Sequence, residues 1–141
     1  IYGEDKRKAR ELAEEYMKSF DLTERASDKA RTLSGGMQRR LSIAMAMISK
    51  PKILFLDEPT LGLDVMARRK LRKHIEPLKG KVTVILTTHY LEEAEALADR
   101  IAIMDEGVIK AVGTAEELKQ MTKKESLEDA FVSLCAGEED I

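Results

Sequence analysis

The chain has 141 residues, of which 43% are apolar, enough for an ordinary core, so disordered and fibrous classes are excluded. Charged residues make up 35% but nearly cancel to a formal net charge of −2, which argues against a large nucleic-acid footprint. A single cysteine, Cys135, rules out an intrachain disulfide framework, and no apolar run approaches bilayer-spanning length, so a soluble, cytoplasmic chain is expected.

Residues 4 to 20 place Ala9, Leu12, Ala13, Tyr16, Met17 and Phe20 at helical spacing, with Glu4/Lys8 and Glu14/Lys18 one turn apart on the outer side. After a polar stretch from 21 to 34, Met37, Leu41, Ala44, Met45 and Ile48 define a second apolar stripe that stops before Lys50-Pro51, with Met37, Met45 and Met47 read as core filler. Ile53-Leu54-Phe55-Leu56, ended by Asp57-Glu58-Pro59, reads as a strand buried on both faces. A helix from about Val65 carries Leu71, Ile75 and Leu78 on one face, is expected to kink or end near Glu76 because of Pro77, and leaves His74 facing solvent. A second apolar strand, Val82 to Leu86, runs into Thr87-Thr88-His89, and residues 90 to 98 form a short acidic helix. Strands at 101 to 104 and 108 to 112 are joined through Asp105-Glu106-Gly107 as a hairpin, and helices near 115 to 121 and 126 to 134 close the chain. Alternation of strand and helix from 53 to 104 predicts a parallel sheet flanked by helices, preceded by a helical piece.

Ligands bind at the carboxyl ends of strands in such sheets, and two successive strands here end in Asp57-Glu58 and His89. The first resembles a Walker B element, whose aspartate holds Mg2+ directly or through water, and the adjacent Glu58 stands where a general base or water-positioning group is needed. Ser34-Gly35-Gly36 opens a helix with a hydroxyl, two glycines and free N–H groups, a combination suited to a phosphate. Alone, that string reads as a helix cap and turn; the acids downstream favour the phosphate. His89 with Glu92 and Glu93 has the spacing of a metal set, but no second His or Cys supports it.

Three motifs together make a specific resemblance. Leu33-Ser34-Gly35-Gly36-Met37-Gln38 resembles the signature loop of the ATP-binding cassette family, Ile53 through Asp57-Glu58-Pro59-Thr60 to Leu61-Gly62-Leu63-Asp64 its Walker B strand, catalytic glutamate and D-loop, and Thr87-Thr88-His89 its switch-histidine strand. The likeness covers about residues 10 to 120. His89 to Ala94, Asp99 to Met104 and Gly113 to Leu118 are most similar to exporters of the drug, sodium and ABC-2 type. The resemblance implies an α/β fold, an incomplete P-loop NTPase (RecA-like) parallel sheet. Residues 1–50 would belong to a helical subdomain, 51–122 to the ATPase core and 123–141 to a C-terminal helix and tail.

It further implies ATP and Mg2+ as cofactors, with Asp57 serving Mg2+, Glu58 activating water and His89 sensing the terminal phosphate. Leu33 to Gln38 would contact ATP held by a second nucleotide-binding domain, and Asp64 would couple the two sites. A membrane transporter subunit is the implied second partner, which places the chain on the cytoplasmic face of a membrane; nucleic acid is not expected. The string G-x-x-x-x-G-K-[ST], the adenine-stacking aromatic and the glutamine loop are absent from this sequence, and the first residue is Ile1, so the expectation is a portion of a longer domain that does not itself bind ATP tightly. Met45 stands where many relatives carry an arginine. In the family the phosphate-cradling strand lies between the histidine strand and residues 101–104, which predicts either a rearranged sheet or a dimer that fills the gap. Other readings are a soluble family member acting on ribosomes or DNA, and a non-catalytic half-cassette paired with a complete one.

Overall fold

A computed structural model describes residues 5–136 as two compact units that divide between Thr87 and Thr88. The Glu4/Lys8 pair therefore lies outside the described residues.

In the first unit, α1 (Lys6–Ser19) begins at Asp5, whose carboxylate accepts from the Arg7 N–H, and carries Arg7–Glu11 and Arg10–Glu14 ion pairs one turn apart on its exposed side. Its half-buried positions are the predicted ones, Ala9, Leu12, Ala13, Tyr16 and Met17, and its stripe ends in fully buried Phe20. A turn through Asp21, with φ 53°, leads by way of buried Leu22 and two short 3-10 segments (Thr23–Arg25 and Ala30–Thr32) to α2 (Gly35–Ile48), which packs on α1.

α2 departs from the expected phase. Its buried residues are Arg40, Ile43, Ala44 and Met47, spaced i, i+3, i+4, i+7, whereas Met45 is 63% exposed and is not core filler. The apolar residues of this helix occupy more than one face, and Arg40 decides between the faces. Its Nη1 donates to the buried carbonyl of Phe20 at 2.8 Å and to the part-buried one of Asp21 at 3.4 Å, satisfying acceptors just past the end of α1. The same cluster corrects the position of His74, whose side chain is only 10% exposed. Its ring stacks on Phe20 with centroids 5.5 Å apart, Nδ1 donates to the Ser19 carbonyl at 3.2 Å, and Nε2 faces Arg40 Nη1 at 3.5 Å and Asp21 Oδ2 at 3.4 Å. One buried cationic fork and one imidazole thus join α1, α2 and α3 (Val65–Ile75).

β1 (Ile53–Asp57) and β2 (Thr83–Thr87) pair in parallel, from Ile53 opposite Thr83 to Asp57 opposite Thr87. Burial alternates along β1 and is not two-sided as expected. Leu54 and Leu56 are buried, while Phe55 is 71% and Ile53 50% exposed, beside Ile85 at 44%. The apolar run carries enough hydrophobic residues for two covered faces, but among the described residues only one is covered. α3 ends at Ile75 and passes into a 3-10 turn, Glu76–Leu78, with Pro77 in its first turn, as predicted.

The second unit holds α4 (Leu91–Leu97), β3 (Ile101–Asp105), β4 (Val108–Gly113), α5 (Ala115–Thr122) and α6 (Leu127–Cys135). Glu106 and Gly107, both at positive φ (48° and 75°), form the two-residue loop of an antiparallel hairpin whose register shifts once, after Ile103. A reciprocal capping box between Thr114 and Glu117 starts α5, and Ser126 caps α6. Ile101, Ile103, Ala111, Leu118 and Leu127 form the core. The third strand of the predicted parallel sheet is not found as such: β3 pairs with β4 and, among the described residues, not with β2. No described helix is long and apolar enough to cross a membrane.

Two outcomes are expected. Arg40→Met, which leaves the Phe20 and Asp21 carbonyls without their donor, should destabilise the chain by about 2 kcal/mol in urea unfolding, with Arg40→Lys recovering only part of the loss. Burial, reinforced by Arg40 and Lys70 and opposed by Asp21 and the Ser19 carbonyl, lowers the His74 pKa below its ordinary 6.5. The unfolded chain then binds the extra proton first, so this contribution is complete above pH 6.5 and is lost as the pH falls toward the folded-state pKa. The unfolding midpoint should drop between pH 7 and 5.5, and drop less in His74→Asn. A shared slope would rule out His74 as the source.

Candidate functional site

Asp57 and Glu58 sit where β1 stops. In-register pairing sets Asp57 beside Thr87 on the exposed face, and the Thr87 hydroxyl donates to Asp57 Oδ1. The Glu58 N–H points back at the same threonine, 3.0 Å from its carbonyl oxygen and 3.3 Å from its hydroxyl. One side chain on β2 therefore orients the first carboxylate and pins the peptide that carries the second. Glu58 has φ 45°, a left-handed conformation that costs a non-glycine residue on the order of 1 kcal/mol. The chain turns sharply there, through buried Pro59 and Thr60 and Gly62 at φ 76°, into the cap of α3.

Asp57 can accept a hard cation. Its Oδ1 is occupied by Thr87, its side chain is exposed, and Oδ2 has no protein donor among the described residues. No group of three His, Cys, Asp or Glu capable of holding a metal by itself occurs among the described residues. This donor set suits Mg2+, which keeps waters and substrate oxygens in its shell, and does not suit an all-protein cage such as His89 with Glu92 and Glu93. A cavity of about 190 Å3 between α2 and β1 has Asp57, Pro59, Arg39 and Ser42 among its lining.

The signature loop is built as a helix start. Ser34 has extended backbone, and its hydroxyl accepts from the Met37 N–H at 3.3 Å. The Gln38 N–H donates to the Ser34 carbonyl at 2.8 Å, and the Gln38 side chain donates to the Leu33 carbonyl at 3.0 Å. These bonds use the third and fourth N–H groups of α2 and leave those of Gly35 and Gly36 at the helix N-terminus, where no acidic residue competes for them. The glycines also serve packing. A Cβ on Gly36 would lie 3.3 Å from Ala67 Cβ, and one on Gly35 3.5 Å from Leu63 Cδ2, so the starts of α2 and α3 approach closely. Asp64 Oδ1 accepts from the Met66 and Ala67 N–H groups, both at 2.9 Å, and fixes the start of α3.

The structure thus brings Asp57 and Glu58 together with Thr87, and Gly35 and Gly36 against Leu63 and Ala67, while Ser34 and Asp64 cap the helices on which these residues sit. His89 belongs to the second unit, where its ring lies 4.2 Å from that of Tyr90. Thr87 had no role assigned from sequence. The signal was available in the equal strand ends, since a parallel register that opposes Ile53 to Thr83 must oppose Asp57 to Thr87.

The ABC transporter family model matches residues 3–61. Among curated relatives, a daunorubicin resistance ATP-binding protein of Streptomyces coeruleorubidus is 49% identical over 117 residues, covering 82% of this chain and 37% of the relative. A linearmycin resistance ATP-binding protein of Bacillus subtilis is 44% identical over 119 residues, covering 84% and 38%. The chain therefore spans little more than a third of the length of these relatives. A solved structure described as the ATP-binding subunit of an ABC transporter superposes with a TM-score of 0.76 at 29% identity, over 94% of this chain and 57% of that one. Motifs, fold and relatives agree, and the chain belongs to the ATP-binding cassette family, with a sequence similar to drug-resistance ATP-binding proteins.

Proposed function

We propose that this chain supplies catalytic and trans-acting parts of the ATP-hydrolysing subunit of an exporter, working on the cytoplasmic face of a membrane with a transporter subunit. The observation that carries the reading is the Asp57–Thr87–Glu58 arrangement, in which a single hydroxyl holds one carboxylate for a cation while the strained turn sets the next beside it. Bound Mg2+ would neutralise charge on the ATP phosphates, and catalysis of terminal-phosphate hydrolysis is chiefly positioning and charge stabilisation. On this reading Asp57 holds the cation, Glu58 orients or deprotonates the attacking water, and His89 meets the terminal phosphate.

Ser34, Gly35 and Gly36, supported by Leu33, Met37 and Gln38, present their N–H groups and hydroxyl to ATP gripped by a second nucleotide-binding domain. Asp64 couples the two sites, because its carboxylate fixes the start of α3, against which the loop glycines pack. The helical portion 1–50, the core 51–122 and the tail 123–141 are the corresponding family subdivisions. The sequence similarity to drug-resistance ATP-binding proteins supports export over import.

Without a phosphate-cradling loop the isolated chain should bind Mg-ATP no tighter than about 1 mM in a fluorescent-nucleotide displacement assay; micromolar affinity would remove the basis for trans action. In a subunit that includes the cradle, Glu58→Gln should lower kcat by about 10²- to 10⁴-fold with nucleotide binding retained. Thr87→Val, which keeps β-branched shape but not the hydroxyl, should destabilise the isolated chain by about 1 kcal/mol and, in that subunit, raise the Mg2+ concentration needed for half-maximal turnover. Unchanged Mg2+ dependence would separate Thr87 from cation binding.

A further inference from the structure

The helix α3 carries a feature that ATP chemistry does not use. Its eleven residues, Val65–Ile75, include Arg68, Arg69, Lys70, Arg72 and Lys73 and no acid. Leu71 and Ile75 face the core. On the opposite side Val65, Met66, Arg69, Lys70 and Lys73 fall within about 140° of the helix circumference, and all are exposed, Met66 by 72% and Val65 by 57%. Arg69, Lys70 and Lys73 make no ion pair among the described residues, although the sequence as a whole carries more acid than base. Exposed Lys81 continues the run beyond the helix, and from 65 to 81 the only acid is Glu76.

The charge is also segregated along the chain. Residues 1–87 hold 19 Lys and Arg against 12 Asp and Glu, whereas residues 88–141 hold 5 against 14. A near-neutral molecule thus contains a strongly basic unit in which Arg69, Lys70 and Lys73 gather exposed positive charge on one face of α3.

We propose that the outward face of α3 is a docking surface for the anionic headgroups of a lipid bilayer. Clusters of four to eight Lys and Arg on a helix attract anionic lipid, and interleaved apolar side chains let such a face enter the headgroup boundary while Lys and Arg stems extend their charges to the phosphates. Met66 and Val65 supply that apolar component. Base stacking of a nucleic acid is disfavoured, because α3 presents no aromatic ring on this face. The proposal is independent of the nucleotide reading.

The test is co-sedimentation of the 141-residue chain with phosphatidylcholine vesicles containing about 30% phosphatidylserine, against vesicles of phosphatidylcholine alone. Binding should require the anionic lipid and weaken between 50 and 200 mM salt as expected for screened charge. Arg69→Glu/Lys70→Glu/Lys73→Glu should lose roughly a hundredfold or more in affinity. The triple variant Lys6→Glu/Lys8→Glu/Lys29→Glu, with the same change in net charge at exposed sites elsewhere, should lose less than about threefold. Met66→Ser should weaken vesicle binding severalfold without changing retention on a single-stranded oligonucleotide column. Circular-dichroism melts of each variant confirm that it is folded. Equal binding to neutral vesicles, equal losses in the two triple variants, or preference for the oligonucleotide over phosphatidylserine vesicles would overturn the proposal.

Discussion

The in-register parallel pairing of β1 with β2 is the constraint on which the first unit's chemistry depends. Strands of equal length that start level also finish level, so Thr87 arrives beside Asp57 without further specification. From that single alignment follow the orientation of one carboxylate, the double restraint on the Glu58 N–H, and the point at which the chain turns toward α3. A one-residue slip would carry Thr87 to the opposite face and leave the Asp57 carboxylate without its donor. Specificity of register comes from the alternation of Leu54 and Leu56 inward with Ile53 and Phe55 outward.

Helix packing then depends on contacts that apolar periodicity does not display. Arg40 and His74 look like surface residues in a string because nothing local marks their partners: Phe20 and Asp21 lie about twenty residues before Arg40, and Ser19 fifty-five before His74. A guanidinium is tolerated inside when backbone carbonyls accept from it, and here the carbonyls belong to the C-cap of α1 and the residue after it, where the helical ladder supplies no donor. The glycines of the signature loop have a comparable double character. Phosphate recognition and close helix approach both call for a missing side chain, and sequence alone could distinguish only the first.

Much of the rest was legible. The elements fall where periodicity and punctuation place them, and the hairpin at Asp105–Val108, the stop at Pro77 and the strand ending in two acids follow from local chemistry. Three motifs in order carry the likeness to the ATP-binding cassette family. What could not be read was which face of a wholly apolar strand is covered, because Ile53-Leu54-Phe55-Leu56 is equally compatible with one covered face and with two. The third parallel strand failed for a related reason: alternation of strand and helix does not show that Ile101–Asp105 takes its hydrogen bonds from the antiparallel Val108–Gly113.

Glu58 carries a consequence that reaches beyond its geometry. Its left-handed backbone is one that glycine or asparagine would adopt with less strain, while only a carboxylate fits the proposed role toward water. Stability and chemistry therefore pull this position in opposite directions, and a selection that rewards folding alone would drift toward inactive sequences there. A thermostabilised variant of this chain has an easy wrong route to its goal, and it passes through residue 58.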